Sequence, residues 1–271
     1  MSVLFLFVLA LAWGCLTTLF WVSGRELGRG YFVTIALVVL GLLGIDFALA
    51  ILHPLDPFGQ QSQRGLVTLG GALAAAFFYY AAIWKEHWRL ALLPLVIATL
   101  LSGFVLIQSG RALVPKLATL PHQEVLLVST LIGSALVLGW ALTTMLLGHW
   151  YLVVPKLRFR HLIVFCWVLV GVVVLRCGID LMTLVVAHGV DPFTEPHPWR
   201  MLVDFNGQGM FFWFRILWGL AIPLLLSVLS LHCARTRSNQ SATGILYVVV
   251  VGALIGEITA LYITTTIGVP I

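Results

Sequence analysis

The sequence predicts an all-α, polytopic membrane protein of eight transmembrane helices, arranged as two parallel-repeat four-helix bundles. Composition, apolar run length and an internal duplication predict it. Of 271 residues, 61% are hydrophobic and only 9% are Asp, Glu, Lys or Arg, against ~25% charged in soluble domains. So few charges do not cover a soluble fold of this size, which excludes cytosolic, secreted and disordered classes. The formal net charge is +5. Spread over many spans and loops, it reads as a device for orientation and leaves no stripe for a nucleic acid. Cys15, Cys166, Cys177 and Cys233 form no C-x-x-C pair, so neither a disulfide framework nor a cysteine cluster site is expected.

A helix needs about 20 apolar residues to cross ~30 Å of hydrocarbon. Runs of that kind occupy 3–22, 31–52, 66–84, 90–108, 125–148, 162–187, 208–232 and 244–267. The first lacks a basic leader and is read as a span rather than a signal peptide. The longest connection, 188–207, carries Pro192, Pro196 and Pro198, which argue against a helix there. Trp21, Trp84, Trp88, Trp150, Tyr151 and Trp199 fall near span ends, as interfacial aromatics do. An even span count puts both termini on one side. Odd-numbered loops hold Arg25, Arg29, Lys85, Arg89, Lys156, Arg158, Arg160, Arg235 and Arg237. Even-numbered loops hold only Arg64, Arg111, Lys116 and Arg200. The positive-inside rule therefore places both termini outside the cytoplasm.

Residues 44–58 read GIDFALAILHPLDPF and 178–193 read GIDLMTLVVAHGVDPF. Gly-Ile-Asp and His-x-x-Asp-Pro-Phe recur, separated by one inserted residue, and most of the identities are not Leu or Val. The match lays span two on span six. Both run the same way, so the repeat is parallel, and such halves pack about an axis along the membrane normal. The expected organisation is a first bundle at 1–110, an outer-side linker at 111–124 and a second bundle at 125–271.

Charged side chains inside spans are costly and are functional candidates by default. They are Asp46, Arg176, Asp180, Arg215 and Glu257, all in the middle or outer half on this topology. Gln108, His53 and His188 sit at span ends on the same side. Asp46 and His53 are seven apart, so they share a helix face, and Asp180 and His188 nearly do. Two readings stand for each histidine: a proton path in which imidazole meets a ligand hydroxyl and the carboxylate assists, or an ordinary helix end before an Asp-Pro turn. Arg176 and Asp180 are spaced i, i+4 for a structural intrahelical ion pair. Arg215 lies among aromatic rings, with Glu257 or Asp46 as its acid partner. Glu257 follows Gly252 and Gly256, a small-xxx-small pair that lets helices approach closely. No histidine lies at mid-depth, so haem b is not expected. Hydrolase and ATPase motifs are absent from the sequence, and no metal site is expected.

Three stretches carry a family resemblance. Leu52-His53-x-x-x-Pro57 ends span two, Phe214-Arg215-Ile216-Leu217 opens span seven, and Ile255-Gly256-Glu257 lies in span eight. With length and span count, they make the chain resemble the membrane anchor subunit of dimethyl sulfoxide reductase and, more loosely, the NrfD-like anchors. The resemblance covers the whole chain in order. It implies a quinol-interacting subunit of a respiratory oxidoreductase in the bacterial cytoplasmic membrane. Quinone, as menaquinone or ubiquinone, is then substrate, there is no intrinsic cofactor, and electrons pass to a docked iron–sulfur or cytochrome subunit. It makes His53 the quinol-site residue, with Asp46 assisting and Gln108, Arg215 and Glu257 as ring-binding candidates. His188 is the repeat counterpart of His53. The family's acid in span three falls near Ala75, and its arginine after the last Gly-Glu is replaced, with Ala260 nearby. Asp46 substitutes for the missing acid, or the subunit is a scaffold. The competing classes are a small-molecule or ion transporter, which parallel repeats and intramembrane charges also suit, and a purely structural membrane subunit.

Overall fold

A computed structural model describes residues 2–22, 24–52, 62–113, 120–154, 160–190, 197–205 and 209–271. His53, Asp56, Pro57, Asp191 and Pro192 lie outside the described residues. Helix dominates what is described, and no strand occurs there.

We number the principal helices α1 (Ser2–Thr18), α2 (Arg29–Leu52), α3 (Ser62–Trp84), α4 (Trp88–Arg111), α5 (Gln123–Val153), α6 (Arg160–His188), α7 (Gly209–Arg235) and α8 (Asn239–Thr266). Among the described residues, the seven from α2 to α8 are long and apolar enough to cross a membrane, and α1 is a shorter apolar helix. α5 runs for 31 residues, about 46 Å at 1.5 Å per residue, so it overshoots ~30 Å of hydrocarbon.

Consecutive helices are neighbours. α2 packs on α1 and α3, α3 on α4, and α4 returns to α1. Likewise α6 packs on α5 and α7, α7 on α8, and α8 returns to α5. The two sets meet chiefly where α1 lies along α5, with further contacts from α1 to α8 and from α4 to α5. Small residues permit this. A Cβ on Gly14 would overlap the Ala135 carbonyl and come within 2.9 Å of Gly139 Cα. Such backbone approach suits helices whose association gains little from the hydrophobic effect in lipid. α1 and α5 are accordingly the most enclosed elements. Leu9, Ala10, Ala12, Cys15, Leu127, Ala135 and Leu147 are all buried, whereas α2, α3 and α6 each present a broad apolar face outward.

Two local features depart from expectation. A short helix, Pro198–Val203, occupies the 188–207 connection. Pro198 stands at its start, where a missing N–H costs nothing; the prolines exclude a helix interior, not a helix start. α7 is also irregular. Residues Arg215–Ala221 form a π-helix, in which the Ile222 N–H donates to the Leu217 carbonyl. Pro223 comes two residues after the segment ends, and its ring and lack of an N–H disfavour regular α geometry in the turn before it.

Candidate functional site

Four of the five intramembrane charges form one cluster. α6 supplies Arg176 and Asp180 one turn apart, the π segment of α7 supplies Arg215, and α8 supplies Glu257. Arg176 Nη1 pairs with Asp180 Oδ1. Arg176 Nη2 lies 3.2 Å from Glu257 Oε2, and its Nε lies 3.3 Å from both carboxylate oxygens. Arg215 Nη2 donates to Glu257 Oε1 at 2.9 Å and to Asp180 Oδ2 at 3.4 Å. From α5, the Ser134 hydroxyl donates to Glu257 Oε2 at 2.6 Å. Arg176, Arg215 and Glu257 are wholly buried and Asp180 is 3% exposed. Two cations and two anions sum to zero, and the pairing lowers the cost of holding each charge in hydrocarbon. Arg215 Nε and Nη1 remain without a hydrogen-bond partner.

Glycines make the room. A Cβ on Gly133 would stand 3.0 Å from Arg176 Cδ. One on Gly219 would overlap Arg215 Nη1 and approach Gly256 Cα to 2.7 Å. Gly252 similarly faces Pro223 and the Trp218 carbonyl. The Gly252–Gly256 pair therefore sits where α8 crosses the π segment.

Asp46 is different. It is fully buried on α2, and neither carboxylate oxygen has a hydrogen-bond partner. No ion pair joins it to the four-residue cluster among the described residues. Gly44-Ile45-Asp46 matches Gly178-Ile179-Asp180, but Leu42 stands where Arg176 stands in the other copy. The cation that neutralises Asp180 from one turn away is thus lacking at Asp46.

The remaining candidates are dispersed. Gln108 is half-buried one turn before the end of α4. His188 is exposed at the end of α6, with its ring edge-on to Trp199 at 5.2 Å. His53 lies outside the described residues. Arg215 and Glu257, candidates for ring contact, are joined to Arg176 and Asp180 in the cluster. Among the described residues, no group of three or more His, Cys, Asp and Glu is placed to hold a metal ion.

Sequence reasoning missed Ser134, Gly133 and Gly219. Ser134 lies in the small-residue stretch Gly133-Ser134-Ala135 of an apolar helix, a pattern that marks close helix packing. Nothing local links it to a carboxylate 123 positions away. No protein-family model, no curated protein and no solved structure matches this chain.

Proposed function

We propose that the chain is a quinone-interacting integral membrane subunit of a bacterial respiratory oxidoreductase. It spans the cytoplasmic membrane eight times, with both termini on the outer side. Its helices form two four-helix bundles related by a parallel repeat, split near 111–124. The matched neighbour relations of α1–α4 and α5–α8, and the glycine-lined crossing of α1 on α5, support that organisation.

The observation that carries the reading is Asp46, a buried carboxylate without a partner on an apolar helix. Unpaired intramembrane carboxylates are rare and mark pathways for protons, ions or substrates. In this reading quinol is oxidised near the end of α2. Both electrons leave to an iron–sulfur or haem centre of a docked partner. Of the two protons released, one goes to His53 and the other to Asp46, seven residues earlier in the chain, and both pass from there to the outer side. The test is quinol-dependent reduction by membranes carrying Asp46→Asn, an isosteric change that removes the charge. Turnover should fall at least tenfold, with the assembled complex and its melting temperature retained. Unchanged turnover in both Asp46→Asn and His53→Ala would remove the quinol reading.

The neutral cluster favours a second reading, a purely structural membrane subunit, because its carboxylates are committed to arginines and a serine. In that case Asp46→Asn has no effect on turnover, while Glu257→Gln disrupts assembly.

A further inference from the structure

A cavity lies at the opposite end of α1–α4 from Asp46. It opens where α1 and α3 finish and α2 and α4 begin, and it measures about 220 Å³. An apolar cavity of ~150 Å³ takes one benzene, so this one has room for a substituted ring. Phe20, Phe32, Tyr79 and Trp88 supply aromatic walls, closed by Ala91 and Leu95. Phe32 and Trp88 meet edge to face at 5.4 Å, which sets the wall geometry. Phe20 and Leu92 line the cavity and are exposed, so its mouth opens sideways on the helix surface, where lipid would lie.

Its polar groups select among occupants. Tyr79 is 3% exposed, and no hydrogen bond engages its hydroxyl among the described residues. Neither is the Trp88 indole N–H engaged there. The nearby Tyr31 hydroxyl, by contrast, donates to the Thr143 carbonyl at 3.3 Å. A buried phenol ordinarily finds a partner, while the Trp88 indole is only half-buried. A fatty acyl chain has no acceptor to offer them. A second groove, between α2 and α3, shows what such a chain would suit: Leu40, Phe47, Leu73, Ala74, Phe77 and Phe78 line it without a polar side chain.

We propose that the cavity binds the ring of a lipophilic, carbonyl-bearing planar molecule of the quinone class. A ring carbonyl accepts from Tyr79, the faces contact Phe32 and Trp88, and the tail leaves between Phe20 and Leu92. This is a second ring site, at the other membrane surface from Asp46. Its chemical class rests on the functional reading above, and its position rests on the cavity alone.

The test is titration of the purified full chain in detergent with decylubiquinone, read by tryptophan fluorescence quenching. Saturable quenching is expected, with a smaller amplitude in Trp88→Phe. Tyr79→Phe should weaken binding about fivefold to tenfold, the effect of one lost hydrogen bond of ~1 kcal/mol or slightly more. Ala91→Phe should abolish the part of the quenching that depends on Trp88, by filling the cavity, with Leu95→Trp as the substitute if that variant elutes as aggregate. Asp46→Asn should leave the Trp88-dependent part of the quenching unchanged. The proposal is overturned if the cavity-filling and Tyr79→Phe variants bind like wild type. It is also overturned if native mass spectrometry finds a retained phospholipid that decylubiquinone does not displace in wild type but that is absent from Ala91→Phe. Loss of binding in Asp46→Asn alone would place the ring at the other end, overturning this site while sparing the functional reading. Unchanged quinol turnover in both Asp46→Asn and His53→Ala, with intact cavity binding, would overturn the functional reading alone.

Discussion

Asp46 and Asp180 occupy matching places in the two Gly-Ile-Asp segments, yet one carboxylate is bare and the other is held by Arg176 and Arg215. The contrast separates two uses of a buried charge. In the cluster, each charge compensates another, and removing one partner strands the rest. Breaking a buried pair costs about 3–5 kcal/mol. Glu257→Gln should therefore lower the detergent melting temperature markedly, because it leaves Arg176 and Arg215 to share Asp180. Arg176→Gln combined with Asp180→Asn should melt above the sum of the two single losses, since the pair departs together. Thermal melts of the four proteins give the coupling directly, and additive losses would show that the pair is not energetically linked. Ser134→Ala removes a single hydrogen bond to a charged group and should cost about 1.5–3 kcal/mol. The i, i+4 spacing of Arg176 and Asp180 is legible in the sequence because the helix itself sets that distance. The choice of Glu257 over Asp46 as the acid near Arg215 is not, because helix packing sets it.

At the scale of elements, α7 and α8 meet through glycine. The wide π turn, Gly219 beneath the Arg215 guanidinium and Gly256 on the facing helix form one contact. Gly219→Ala would drive a methyl into Arg215 Nη1 and the α8 backbone. It should destabilise more than Gly244→Ala, where a Cβ meets nothing within 4 Å although Gly244 shares α8 with Gly256. Comparative melting of Gly219→Ala, Gly256→Ala and Gly244→Ala tests this. Equal stability in all three would mean that the close crossing does not limit stability. Gly252 and Gly256 are recognisable in advance as a small-xxx-small pair. The π segment is not, because Pro223 alone is also compatible with a simple kink.

At the scale of the molecule, charge distribution predicts sidedness. On a cysteine-free background, Glu124→Cys at the start of α5 and Ser238→Cys before α8 both place an exposed thiol at a helix end. An impermeant maleimide added to intact cells should label the Glu124 position only, and the Ser238 position should react after permeabilisation. The reverse pattern would invert the topology drawn from Lys and Arg. α1 tests the limits of such reasoning. Its apolar run reads simply as a first span, but the helix is short, and it lies enclosed along α5 rather than at a periphery.

Composition and apolar run length by themselves determine that this is an all-helical chain with helices of membrane-spanning length. In hydrocarbon the backbone must satisfy its own hydrogen bonds, so a long apolar run has few alternatives to helix. The internal duplication and the candidate charges are equally visible in one dimension. Only the tertiary structure decides which charges meet. Arg176, Asp180, Arg215, Glu257 and Ser134 come from four helices brought together by glycine-lined crossings. Asp46 stays outside that set because α2 packs chiefly on α1 and α3, and its own helix offers Leu42 where α6 offers Arg176. Partner choice depends on a few ångströms of helix separation, and that distance belongs to the packed bundle rather than to any single span.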